Sequence, residues 1–114
     1  MQWMVISAHK SNFSNPIHFQ AGNLVEVGKA DDEFPGWIWV TTLDGNQGWA
    51  PIQYLWIDAS GKNATANQPY SAQELDTRLA QVLKFHMELN GWGWVENEDH
   101  VFGWVPMIGI QPIK

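Results

Sequence analysis

Hydrophobic and polar residues alternate along this chain over short stretches, and turn-forming residues separate the stretches. The clearest runs from Trp37 to Thr41, where Ile38 and Val40 fall on one side and Trp37, Trp39 and Thr41 on the other. That two-residue period predicts a half-buried strand. Asp44-Gly45 follows as a hairpin signal, because glycine accepts the positive φ that tight hairpins require. Gln47 to Ala50 returns as the partner strand, and Pro51, with no amide hydrogen to donate, ends its pairing. Upstream, Ala21-Gly22-Asn23 reads as a turn into the strand Leu24-Val25-Glu26-Val27, and Lys29 to Pro35 as a polar, acidic loop.

The same pattern occurs twice. Gly36-Trp37-Ile38-Trp39-Val40, followed by Gly48-Trp49-Ala50-Pro51, is matched 55 positions later. There the chain reads Gly91-Trp92-Gly93-Trp94-Val95, then Gly103-Trp104-Val105-Pro106. Seven identities fall in one register without a gap, and six of the eight tryptophans lie in the two copies. A repeat of this length predicts two small structural units. We expect unit one over residues 1–58, a small and polar linker over 59–68, and unit two over 69–114. Units of that size bury only about 60% of their unfolded surface, so the two are expected to pack together.

Residues 71–89 carry conflicting signals. Ser71 and Glu74 form a capping-box pattern, and apolar residues at 72, 75, 79, 82 and 83, with His86 continuing the row, are spaced as on a helix. The repeat register instead sets Leu83 and Phe85 against Val25 and Val27, with a three-residue difference in loop length. We follow the repeat and read strands and loops.

Composition narrows the chemistry. The absence of cysteine excludes disulfides, thiolate zinc sites and cysteine nucleophiles. Met1 to Val5 shows neither the basic region nor the apolar run of a signal peptide, and no span approaches the ~18 apolar residues of a membrane helix. The expectation is a cytoplasmic protein with no membrane contact. Twelve acidic residues against six basic ones, a net charge of −6, argue against nucleic acid and for a neutral or basic partner. His9, His18, His86 and His100 are scattered without ligand spacing, so no metal or cofactor is expected. With no Ser-His-Asp order and no glycine-rich phosphate loop, no catalytic residue is assigned and no enzyme is expected.

Laid out in this way, each copy resembles a Src-homology-3 (SH3) domain. Unit one supplies Gly22-Asn23, Leu24-Val25-Glu26-Val27, Asp31-Asp32-Glu33, Trp37, Asp44-Gly45 and Gly48-Trp49-Ala50-Pro51-Ile52-Gln53-Tyr54-Leu55. Unit two supplies Tyr70, Glu74-Leu75, Leu83, Phe85, Trp92, Gly103-Trp104-Val105-Pro106 and Ile110. The resemblance implies an all-β protein of two tandem five-stranded barrels, similar to short bacterial tandem proteins of this type.

The resemblance also implies a non-enzymatic module that grips extended, proline-rich peptides in an aromatic groove. Such peptides are already extended and lose little entropy on binding. Carried over residue by residue, the unit-one groove is Trp37, Pro51 and Tyr54, with His9 or Phe13 where the family places aromatics, and Asp31, Asp32 and Glu33 reading a basic flank. Unit two offers a weaker groove of Tyr70, Trp92 and Pro106, since Gly109 stands three residues after its proline where unit one has Tyr54. With Ile38 and Val40 on the core-like face, Trp37 and Trp92 are expected toward a groove; Trp39, Trp49, Trp94 and Trp104 are expected in outer-face or inter-unit packing, and Trp3 and Trp56 buried at the interface. The alternative reading is a structural or regulatory protein that associates, with itself or a partner, through its tryptophan-rich faces.

Overall fold

The computed structural model describes all 114 residues. Twelve strands account for the regular structure: β1 (Gln2–Val5), β2 (His18–Phe19), β3 (Leu24–Ala30), β4 (Trp37–Thr41), β5 (Gln47–Pro51), β6 (Leu55–Ile57), β7 (Asn63–Ala66), β8 (Tyr70–Ser71), β9 (Val82–Leu89), β10 (Trp92–Glu96), β11 (Phe102–Pro106) and β12 (Ile110–Pro112). Single 3-10 turns at Ile52–Tyr54 and Met107–Gly109 follow the two repeat prolines. There is no α-helix, and no helix long and apolar enough to cross a membrane.

The helical spacing of 71–89 is overridden by long-range pairing. Val82–Leu89 forms strand β9, the longest in the molecule. Ahead of it, the Trp104 amide donates to the Gln73 carbonyl at 2.9 Å and the Leu75 amide to the Trp104 carbonyl at 3.1 Å. Backbone groups satisfied across a sheet edge leave no donors or acceptors for a helical turn.

The chain divides into two compact units. One is continuous, residues 15–72, and the other is assembled from two segments, 1–14 and 73–114. The continuous unit holds a five-stranded sheet in the order β5-β4-β3-β7-β6 and a two-stranded ladder of β2 and β8. The two-segment unit holds a five-stranded sheet in the order β11-β10-β9-β1-β12. Every ladder is antiparallel.

The two orders are one scheme. β9, β10, β11 and β12 correspond to β3, β4, β5 and β6, and β1 in one unit takes the place that β7 takes in the other. Trp3 lies opposite Leu83 and Pro112, as Ala64 lies opposite Val25 and Ile57. The first strand of each sequence copy therefore completes the sheet formed by the rest of the other copy.

This changes the expected division. The boundaries 1–58, 59–68 and 69–114 do not coincide with the compact units, which the chain crosses between at 14/15 and 72/73. Part of the expected linker is strand β7, hydrogen-bonded to both β3 and β6, with Ala64 and Ala66 buried. Its alanines read as linker composition, but here their small size suits inward positions of a strand.

Core positions match across the units with altered volumes. In the two-segment unit Val5, Leu75, Leu83, Val95, Val105 and Ile110 form the buried centre, with Trp3, Phe85 and Met107 against it. A Cβ at Gly93 would meet Met107 at 3.0 Å and Phe85 at 3.2 Å, so large neighbours fill the space its side chain lacks. The corresponding residue of the continuous unit, Ile38, is itself buried.

Candidate functional site

In the two-segment unit the segments on either side of the inserted stretch run together. The Thr77 amide donates to the His9 carbonyl at 2.8 Å, and the His9 amide donates to Thr77 Oγ1 at 2.9 Å. This pair fixes the His9 backbone, and the imidazole Nε2 then meets Glu74 Oε1 at 2.7 Å. Both side chains are largely sheltered, at 15% and 11% exposure. The imidazole meets the Trp92 ring edge-on, with centroids 5.6 Å apart and planes at 79°. Trp92 in turn lies opposite Pro106 in the β10–β11 ladder, and the Met107 amide donates to the Gly91 carbonyl at 3.0 Å. Trp92, Pro106 and Met107 are all half-buried. Phe13 belongs to the same unit and is exposed.

The continuous unit holds the equivalent residues in a more closed state. Trp37 lies opposite Pro51, and Tyr54 and Tyr70 meet edge-on with centroids 5.9 Å apart. The Tyr70 hydroxyl donates to the Trp49 carbonyl at 3.1 Å, and its ring tilts against Phe19 at 5.3 Å. Trp37 is 6% exposed, Tyr70 is 7% exposed and Pro51 is fully buried. Tyr54 is half-buried, and desolvation pushes its phenol pKa up.

The sequence-expected groove is thus redistributed. Trp37, Pro51 and Tyr54 do share a unit, but their aromatic neighbour is Tyr70, whereas His9 and Phe13 belong to the unit of Trp92 and Pro106. The reason is the strand exchange, which carries each copy's leading arm away with its first strand. The expected exposure of Trp37 does not hold either. Trp37 and Ile38 are both buried, so β4 begins with both faces covered and the alternation has no open side there.

Asp31, Asp32 and Glu33 also divide. Asp31 Oδ1 accepts from the amides of Glu33 at 2.8 Å and Phe34 at 3.3 Å, so its carboxylate caps its own loop. Asp32 pairs with Lys29 at 3.4 Å with both side chains at least 80% exposed, a contact worth little in water. Glu74, Thr77 and Met107 went unassigned as site residues in the sequence. Only equivalence to the other copy at the level of strand pairing could have located them.

The remaining tryptophans mostly form cross-strand pairs. Trp39 and Trp49 meet edge-on at 5.0 Å, and Trp94 and Trp104 tilt together at the same distance. Trp3 stacks on Phe85 at 4.5 Å. Trp56, expected in buried packing, is instead 68% exposed: β6 turns its Leu55 side inward and Trp56 outward.

Glu96 and Glu98 are both held ionised by local donors. Glu96 accepts from His100 Nδ1 at 2.7 Å and His86 Nε2 at 3.0 Å, and these bonds, His100 first, lower its pKa. Glu98 is lowered to about 2, chiefly by the Gln81 amide at 2.9 Å, with its own backbone amide and Arg78 adding to it. No group of three or more potential ligands is arranged to hold a metal ion.

Residues 5–58 match the family model of the variant SH3 domain. That stretch, a little under half of the chain, is similar to an SH3 domain. No curated protein and no solved structure matches it. The matched stretch follows the sequence order of the first copy: it stops short of β7, which completes the corresponding sheet in space, and of β1 it takes in only Val5. SH3-like domains generally mediate protein interactions and are typically non-catalytic.

Proposed function

We propose that this protein is a cytoplasmic, non-enzymatic interaction module that binds extended, proline-rich peptide segments with a basic flank. The single observation that carries this reading is the cluster of His9, Glu74 and Trp92 beside Pro106, where a half-buried indole stands with a carboxylate that is largely sheltered and held by His9. A proline ring stacks on an indole with little entropy to lose, and Glu74 adds a negative charge for Arg or Lys. The net charge of −6 favours approach of a basic ligand. The Trp37, Pro51, Tyr54 and Tyr70 set is a second groove of the same kind, with Asp32 and Glu33 on the loop of the same unit. Its buried Trp37 and Tyr70 make it the weaker site.

Isothermal titration with an Arg-flanked proline-rich peptide tests this. Trp92→Ala is expected to weaken affinity about tenfold or more, the loss typical of a central aromatic anchor. An affinity unchanged by Trp92→Ala in a folded protein would remove this groove from the account.

A second reading is association through exposed apolar side chains, favoured by Trp56 at 68% exposure. Under that reading, sedimentation shows concentration-dependent oligomers that Trp56→Ser abolishes. A monomer throughout would set the reading aside.

A further inference from the structure

Three equivalent positions differ in volume between the units in a correlated way. The two-segment unit has Trp3, Phe85 and Gly93 where the continuous unit has Ala64, Val27 and Ile38. Trp3 stacks on Phe85, and Phe85 in turn occupies the space above Gly93. One step along the same strands, Val5 is buried where the other unit buries Ala66. If each copy kept its own first strand, Trp3 and Val5 would enter the unit already filled by Ile38, and two alanines would face Phe85 and Gly93. One unit would be overpacked and the other left with a void, and both are destabilising.

We infer that the strand exchange is encoded by side-chain volume at Trp3 and Ala64, seconded by Val5 and Ala66, and that it decides which ring stands in each groove. His9 and Tyr70 are the equivalent residues: Thr77 pairs with His9 as Phe19 pairs with Tyr70. Travelling with β1, His9 is placed beside Trp92 and Glu74; travelling with β7, Tyr70 is placed beside Tyr54. Trp3 and Ala64 thereby act as specificity-determining residues that touch no ligand.

The consequence for ligand choice rests on the peptide-binding reading, but the exchange can be tested without any ligand. The cysteine-free chain allows a clean disulfide test. Met4 lies opposite Gln111 in the exchanged pairing. By the equivalent ladder, in which Thr65 lies opposite Trp56, Met4 would lie opposite Trp56 if each copy kept its own strand. Paired strand residues fall within the Cα separations a disulfide spans. In the full chain, Met4→Cys with Gln111→Cys is expected to oxidise at least about tenfold faster than Met4→Cys with Trp56→Cys, the second pair being reached only through the overpacked closure. Equal or faster closure of the 4/56 pair overturns the exchange.

Adding Trp3→Ala to both pairs is expected to lower that preference about tenfold, and Trp3→Phe to retain it. A preference indifferent to Trp3→Ala would overturn the volume code. All variants are compared below the midpoint of a cooperative urea transition, and Trp3→Val carries the same test if Trp3→Ala does not fold. Peptide affinity plays no part in these readouts. Failure of the groove reading therefore leaves the exchange standing, and failure of the exchange leaves a binding result to be judged separately.

Discussion

At the scale of single residues, close approach and backbone sign explain positions that composition does not. A Cβ on Gly103 would lie 2.7 Å from the Leu75 backbone nitrogen, whereas one on Gly93 would chiefly meet the sulfur of the unbranched Met107 side chain and the Phe85 ring. Gly103→Ala is therefore expected to cost about 2–3 kcal/mol in urea unfolding and Gly93→Ala appreciably less. Ala80 sits at φ 68, where the matching turn of the continuous unit has Gly22 at φ +89. Ala80→Gly is expected to stabilise the protein by about 0.5–1 kcal/mol, since relief of left-handed strain outweighs the added chain entropy. Glu98 gives the acid limb of stability. Its folded pKa of about 2 lies below the ordinary 4.5, so its contribution is complete above pH 4.5 and is lost as pH falls from there toward 2. Urea midpoints across that window are expected to fall less steeply in Glu98→Gln than in the parent. At this scale the sequence was only partly legible. Tryptophan spacing located the paired strands correctly, but the burial of Trp37 depends on cover that a strand's own alternation does not report.

At the scale of elements, local pattern located the hairpins and missed the partners of the first strands. Asp44-Gly45 does join β4 to β5, and both repeat prolines do end their ladders before a 3-10 turn. The repeat register rightly outweighed the helical spacing of 71–89, because β9 pairs with β1 over residues 82–84 and with β10 over residues 84–89. The 59–68 stretch misled for a physical reason. Ala64 and Ala66 are small because their strand enters a unit whose volume is supplied elsewhere, and small residues near Gly61 look the same in a linker. Which first strand joins which sheet is decided by the fit of Trp3 or Ala64 to distant residues, and no local window contains that information. Trp3 also shelters an indole nitrogen with no hydrogen-bond partner, so its value here lies in bulk and stacking. Trp3→Phe is accordingly expected to cost much less than Trp3→Ala, which should lose about 2–4 kcal/mol by thermal or urea unfolding.

At the scale of the whole molecule, the pieces combine into a chain of two compact units with one pairing scheme, a stretch similar to the variant SH3 domain, and aromatic sets assembled from both sequence copies. The aromatic positions were readable as a set, since the same residue types recur at the same spacing. Their grouping was not, because it follows the exchange. Acidity belongs to this scale too: with a net charge of −6, affinity for a basic peptide should fall as salt rises, in proportion to the charges neutralised. The most direct measurement is a backbone-amide NMR titration with a proline-rich peptide carrying an Arg flank. The account predicts shifts clustering on His9, Glu74, Trp92 and Met107, with smaller changes at Trp37 and Tyr54. Shifts confined to Trp37, Tyr54 and the Asp31–Glu33 loop, or none at all in a well-dispersed spectrum, would contradict it.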